Sequence, residues 1–408
     1  MAPVKEHTIQ QEKSIRRQPV RILWANAFCL LDTSSGASMA VRQMLLQLKK
    51  QGVEIRIIGA SNFDHERGTA GLEALWPSLK QQAGRFVTLA DGPLEHLTFV
   101  TKSTHRQDMT CKEEAHWFGR YRRILAEFKP DILFYFGGKP LDFLIANEAR
   151  SQGCTVAFYM ANGRYTQDRW CRDVDLVITD SKATADLYKK RLGLDLVPVG
   201  PFIDPAEVRA RHHTRKRVLF INPLLSKGAG IVARLAMGMA QRRPDIVFEV
   251  VQARGTWEEI LKWASGSIST PVRTLDNVVV TDHTRDMRPV YGRARLLLAP
   301  SLGWESAGRV LVEAMINGIP PVVTQCGGMP EIVKNAGIVW QLPPVFHEKP
   351  YLRIPSDVQL EPLISCIETL YDNQEKYETL SALALHVAQT HHSLETSTRR
   401  LIQALGVI

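Results

Sequence analysis

Two glutamates stand eight positions apart in the stretch WESAGRVLVEAMINGIPPVV. Glu305 precedes a small-residue turn, Ser306-Ala307-Gly308, while Glu313 interrupts a run that otherwise offers Val310, Leu311, Val312, Ala314 and Met315 to a core. A carboxylate accepts two hydroxyl donors at once, and a hydrogen bond to a charged group contributes about 1.5–3 kcal/mol. Taken alone, Glu305 also suits a plain carboxylate at a helix N-terminus. A cation stands apart from them in INPLLSKGAG, where Lys227 precedes Gly228. Its ammonium is a compact point charge suited to phosphate. In CGGMPEIV, Gly327-Gly328 permits close backbone approach and Pro330 begins a helix.

Two further loops carry candidate groups. DTSSGAS (32 to 38) places Gly36 where backbone can come near a ligand, without the G-x-G-x-x-G spacing of a dinucleotide site. ANGRY (161 to 165) offers Asn162 and Arg164, and a plain loop is the simpler account of each. Asp173-Val174-Asp175 has the form of a metal-binding D-x-D, but it precedes the strand DLVIT and so belongs to the end of a sheet opposite the ligands. No other carboxylate cluster calls for a metal ion.

These groups need elements to position them, and the chain supplies an alternation of short β-branched or aromatic runs with amphipathic stretches. The expected strands are 20 to 25, 53 to 59, 131 to 136, 155 to 160 and 175 to 179, then 217 to 222, 246 to 251, 277 to 281, 295 to 300 and 321 to 324. A helix from about Gly36 carries Val41, Met44, Leu45 and Leu48 on one face and ends near Gly52. The restart after the basic run RARHHTRKR marks a second α/β unit, and PVGPFIDP (198 to 205) is the expected junction. Residues 61 to 115 give no interpretable pattern.

The order P-S-x(3)-E-x(7)-E-A-M-x-x-G-x-P, followed by G-G-x-P-E, resembles the family 4 retaining glycosyltransferases of the GT-B fold. That resemblance implies two Rossmann-like domains with parallel sheets facing across a cleft. It divides the chain into a flexible segment 1–18, an acceptor-binding domain 19–204, a nucleotide-sugar domain 205–388 and a final helix in 389–408 that crosses back to the first domain. It places Glu305 at the transferred sugar, Glu313 at the ribose and Lys227 at the diphosphate, with the backbone of Ser306, Ala307, Gly308 and Arg309 facing sugar or phosphate. Gly36 falls on the donor side, and Asn162 and Arg164 on the acceptor side, where the family often has a histidine. Where many members have an arginine shortly before the lysine, this chain has Asn222-Pro223, which leaves Asn222 or Arg254 to take that place.

The implied reaction moves a hexose from a nucleoside diphosphate sugar, a UDP-sugar before a GDP-sugar, to an acceptor hydroxyl, with no cofactor and no metal. The acceptor is a glycan, a lipid-linked glycan or another hydroxyl compound. An epimerase or phosphorylase of the same architecture, and a non-catalytic nucleotide-sugar-binding subunit, are the alternative readings.

Composition agrees with a folded two-domain chain: 408 residues, 45% apolar and 23% charged. The formal charge of +9 invites anionic partners, but RARHHTRKR lacks interleaved aromatics, so nucleic acid is not expected. The six cysteines show no C-x-x-C spacing, which argues for reduced thiols. No apolar run approaches the ~20 residues of a membrane helix. The expected location is the cytoplasm, with at most peripheral contact at the inner membrane face.

Overall fold

The computed structural model describes residues 19–266 and 272–407; the expected flexible segment 1–18 lies outside the described residues. The first sheet contains β1 (Arg21–Ala25), β2 (Glu54–Ala60), β3 (Phe86–Asp91), β4 (Leu94–Phe99), β5 (Ile132–Tyr135), β6 (Thr155–Met160), β7 (Leu176–Thr179) and β8 (Val197–Pro198). Its order is β3-β4-β2-β1-β5-β6-β7-β8. Only the β3–β4 pair is antiparallel. The second sheet contains β9 (Arg217–Ile221), β10 (Val247–Val251), β11 (Val278–Thr281), β12 (Ala294–Ala299), β13 (Pro321–Thr324) and β14 (Ile338–Trp340), in the order β11-β10-β9-β12-β13-β14 and parallel throughout.

The central strands of both sheets are buried on both faces, which is why they read as nearly continuous apolar runs. In β1, Leu23 and Ala25 enter one core and Ile22 and Trp24 the other. In β9, Val218 and Phe220 face one core and Leu219 the opposite one.

Helices follow the strand ends: α1 (Gly36–Lys50) after β1, α2 (Lys182–Leu192) after β7, α3 (Ala229–Arg242) after β9, α4 (Arg309–Ile316) after β12 and α5 (Met329–Val333) after β13. Val41, Met44, Leu45 and Leu48 of α1 are all fully buried, as their spacing predicts, and Gly52 at φ +85° closes the turn. The β3–β4 hairpin occupies part of the stretch that the sequence left uninterpreted. Its two-residue connection, Gly92-Pro93, sits at the edge of the sheet.

The last helix, α6 (Leu394–Leu405), returns to the first sheet. Leu401 is fully buried among Val41, Leu45, Val199 and Phe202, and the Ser397 hydroxyl donates to the carbonyl of Pro201 at 2.8 Å. Both parts of the molecule therefore share this helix and the junction segment. Truncating Leu401 to alanine is expected to destabilise the fold by about 2–5 kcal/mol, the usual effect of a cavity in such a core. A denaturant midpoint unchanged from the wild type would contradict this.

The carboxyl ends of the two sheets face each other, and three sets of contacts fix their alignment. The start of α2 after β7 meets the loop after β12 and the helix α5 after β13, through Ser181 to Ser306 and Lys182 to Glu331. The loop after β2 meets the loop after β10, where Arg67 Nη1 donates to the carbonyl of Ala253 at 3.0 Å. The loop after β1 meets the loop after β11, where Thr33 lies 3.4 Å from His283 Nε2. The middle of the cleft is thus left to the loops after β9 and β12. In open parallel sheets that is where ligands bind.

Candidate functional site

Lys227 and Glu305 meet at that midpoint. A single 3₁₀ turn, Leu225–Lys227, follows β9 and ends in Gly228 at φ +79°. A Cβ on Gly228 would lie 2.0 Å from the carbonyl oxygen of Pro300, so only glycine lets this turn close against the end of β12. The Ser226 carbonyl then accepts from the amides of Leu302 and Gly303 at 2.9 and 2.8 Å. These bonds join two loops 78 residues apart in sequence and set Lys227 Nζ 2.5 Å from Glu305 Oε1. Both side chains keep partial solvent access, so each can take up a ligand group.

Glu305 lies in the loop, not in the first turn of a helix, because α4 begins only at Arg309 with Gly308 as its cap at φ +76°. Its backbone is held by the glycine pair: the Gly328 amide donates to the Glu305 carbonyl at 2.9 Å. A Cβ on Gly327 would fall 2.0 Å from that same oxygen. Beside it the Cys326 thiol donates to the carbonyl of Gly303 at 3.1 Å, and burial pushes that thiol up to about 12. It is a packing group with no nucleophilic character at neutral pH.

Glu313 is buried, with only 7% of its surface exposed. Tyr291 donates its hydroxyl to Oε2 at 2.5 Å, and Arg309 Nε stands 2.6 Å from Oε1 one helical turn earlier. The Arg309 contact is an ion pair whose Nε–H is not aligned as a hydrogen bond; Nη1 instead donates to the carbonyl of Phe202 in the junction segment. The Arg309 side chain therefore ties α4 to the junction. Ser306 and Ala307 are buried, and the Ser306 hydroxyl lies 3.0 Å from Thr184 Oγ1 of α2.

Asn222 adopts φ +65° and accepts the Arg254 amide on Oδ1 at 3.0 Å, which turns the loop after β10 toward the cleft. The Arg254 guanidinium reaches 4.0 Å from Asp64 on the opposite domain. Gly36 is exposed at the start of α1, with open space where a side chain would be. Asn162 accepts the amide of Arg164 on its side chain at 2.9 Å and the hydroxyl of Tyr188 on its carbonyl at 2.9 Å. Between them Gly163 packs on Trp304: a Cβ there would meet the indole at 2.6 Å. The loop 161 to 165 thus borders the residue immediately before Glu305.

Several groups in this cleft carry no sequence signature. Asp180, at the end of β7, accepts from the Tyr159 hydroxyl at 2.6 Å, and burial pushes its carboxyl up to about 6. Tyr291 lies 22 residues from the glutamate it serves. At the far edge of the cleft, residues from the uninterpreted stretch form one wall of a cavity of about 520 Å³, with Arg67, Glu73 and Trp76 opposite Asp282 and His283. The D-x-D pair is engaged at the other end of the sheet, Asp173 with Arg172 and Asp175 with the amide of Val156.

Residues 215–344 match a family model described as "Glycosyl transferases group 1", which covers less than half of the chain. No curated protein matches. Among solved structures, the whole chain is similar to HepE of Anabaena in complex with UDP-glucose, at 15% identity and TM-score 0.66, covering 95% of this chain and 100% of that one. Sucrose-phosphate synthase from Thermosynechococcus elongatus gives 12% identity and TM-score 0.66, over 95% and 98%. An E. coli structure described as trehalose-6-phosphate bound with UDP-2-fluoro glucose gives 11% and 0.61, over 95% and 99%. These likenesses establish the fold: GT-B, two parallel-sheet α/β domains facing across a cleft.

Proposed function

We propose that this GT-B chain is a metal-independent, retaining glycosyltransferase of the family 4 type. It moves a hexose from a nucleoside diphosphate sugar, a UDP-sugar before a GDP-sugar, to the hydroxyl of a glycan, a lipid-linked glycan or a similar acceptor. The observation that carries this reading is the meeting of Lys227 and Glu305 at the carboxyl ends of β9 and β12. A phosphate-binding cation and a hydroxyl-binding carboxylate at one point suit a sugar joined to a diphosphate.

In the proposed reaction the bond from the anomeric carbon to the diphosphate breaks while the acceptor oxygen bonds to that carbon from the same face. The departing diphosphate takes the acceptor's proton. Lys227 meets the charge developing on the leaving group, the largest single contribution expected in such a site. Glu305 holds sugar hydroxyls, and Glu313 holds the ribose with the lone pairs that Tyr291 and Arg309 leave available. The solved relatives described with UDP-glucose and UDP-2-fluoro glucose support a uridine donor. A fold neighbour described as a putative UDP-N-acetylglucosamine 2-epimerase keeps a second reading in view, at 12% identity and TM-score 0.55.

Incubation with a panel of UDP-, GDP- and ADP-sugars, with and without acceptor glycans, separates the two. Transfer requires the acceptor and leaves the anomeric configuration unchanged; epimerisation proceeds without it. Turnover is expected to persist in excess EDTA, and the Asp173→Ala, Asp175→Ala double variant is expected to bind donor as the wild type does. Loss of activity on chelation, restored by manganese, would overturn the metal-independent assignment.

A further inference from the structure

The glutamate of the G-G-x-P-E stretch reaches out of its own domain. Glu331, on α5, accepts the amides of Lys182 and Ala183 through its two carboxylate oxygens, each at 2.9 Å. Those amides belong to the first turn of α2, whose N-H groups lack partners within the helix. The Lys182 ammonium does not compete for the carboxylate, since it is paired with Asp186 one turn along. A carboxylate from the second domain therefore caps a helix of the first.

The same turn grips the loop that carries Glu305. The Ser181 hydroxyl donates to the Ser306 carbonyl at 2.5 Å, and Thr184 Oγ1 lies 3.0 Å from Ser306 Oγ. Ser181 and Thr184 are both buried, so the contact is dry and closely packed. A Cβ on Gly328 would lie 2.0 Å from the Ser306 carbonyl oxygen and 2.7 Å from Ser181 Oγ, so the glycine pair is what lets three segments meet here. Glu305 and Ser306 are thus held from one side by Gly328 of their own domain and from the other by α2 of the opposite domain.

We propose that Glu331, with Ser181 and Thr184, forms a clasp between the domains that places Glu305 for catalysis, making closure of the cleft and assembly of the site a single event. This rests on the transferase reading given above. Glu331 is a positioning residue: both its oxygens are taken by amides of α2, and it fixes the helix against which the Glu305 loop rests. A site completed only on closure is incomplete while open to water and excludes water once closed over its substrates. Nucleotide binding involves mainly the second domain, so it does not depend on the clasp.

The test compares the full-length wild type with Glu331→Ala, Glu331→Gln and the double variant Ser181→Ala, Thr184→Val. Steady-state rates per folded protein, UDP affinity by calorimetry and the radius of gyration by small-angle scattering are read for each. Loss of two charge-assisted hydrogen bonds predicts that Glu331→Ala lowers kcat by about tenfold or more. Its UDP affinity should stay within about twofold of the wild type, and its radius of gyration should rise as the domains part. Glu331→Gln retains one carbonyl acceptor and should restore part of the loss. A purely structural role would lower the yield and melting temperature without splitting kcat from UDP affinity. Wild-type kcat together with an unchanged radius of gyration in Glu331→Ala would overturn the proposal, and the double variant decides the matter if that protein fails to fold. Should the wild type bind no nucleotide, the transferase reading fails on its own, while scattering still shows whether Glu331 holds the domains together.

Discussion

Replacing Lys227 with alanine is expected to lower kcat by about 10²–10³, the usual loss when one stabilising group is removed from a developing anion. Lys227 stands 2.5 Å from Glu305, and its removal leaves that carboxylate without its cation at the point proposed for departure of the diphosphate. Attraction is lost and repulsion remains. The fold should lose little, because both side chains keep partial solvent access that screens the pair, which then contributes about 1 kcal/mol. Steady-state rates alongside a thermal melt distinguish the two: a large loss of kcat at nearly constant melting temperature is the expected pattern. Retained turnover would remove Lys227 from the chemistry.

The two glutamates should separate in their effects. Glu305→Gln is expected to lower kcat by about 10- to 100-fold while leaving UDP affinity nearly unchanged, since the charge-assisted bond proposed for Glu305 is made only to the sugar. Glu313→Gln is expected to weaken UDP and the intact donor alike, because both contain the ribose. It should also destabilise the protein by about 2 kcal/mol, less than for a fully buried pair because Arg309 retains some solvent access. That cost arises where Glu313 compensates the guanidinium that ties α4 to Phe202. Calorimetry with UDP, rates with donor and a denaturant melt measure all three quantities. Equal loss of UDP affinity in both variants would refute the division of roles.

Much of this arrangement was legible because parallel α/β proteins write their strands plainly. β1, β5, β6, β9, β10 and β12 are buried on both faces, so each appears as an apolar run, and the observed ends fall within a residue or two of those expected. The β3–β4 hairpin escaped notice because it forms the antiparallel edge of its sheet, where LEHLTF mixes charge and apolar residues. β8 and β14 are too short to carry a period of their own. In the site, the eight-residue spacing of Glu305 and Glu313 is a local signal and could be seen. So could the Arg309–Glu313 pair, one helical turn apart, although the family resemblance implies only a backbone role for Arg309. Tyr291, Asp180 and the Ser181–Ser306 contact depend on packing between segments 21 to 125 residues apart, for which no periodicity exists. Glu331 was visible as part of a motif, but its reach into the other domain was not.

The most direct test of the account is calorimetric titration of UDP, with GDP and ADP in parallel, into the wild type and Lys227→Ala. The account predicts saturable binding of UDP to the wild type in preference to the other two, and at least about tenfold weaker binding to the variant, as befits loss of a charge-assisted contact to the diphosphate. No binding of any nucleoside diphosphate to the wild type, or equal affinity in the two proteins, would contradict it.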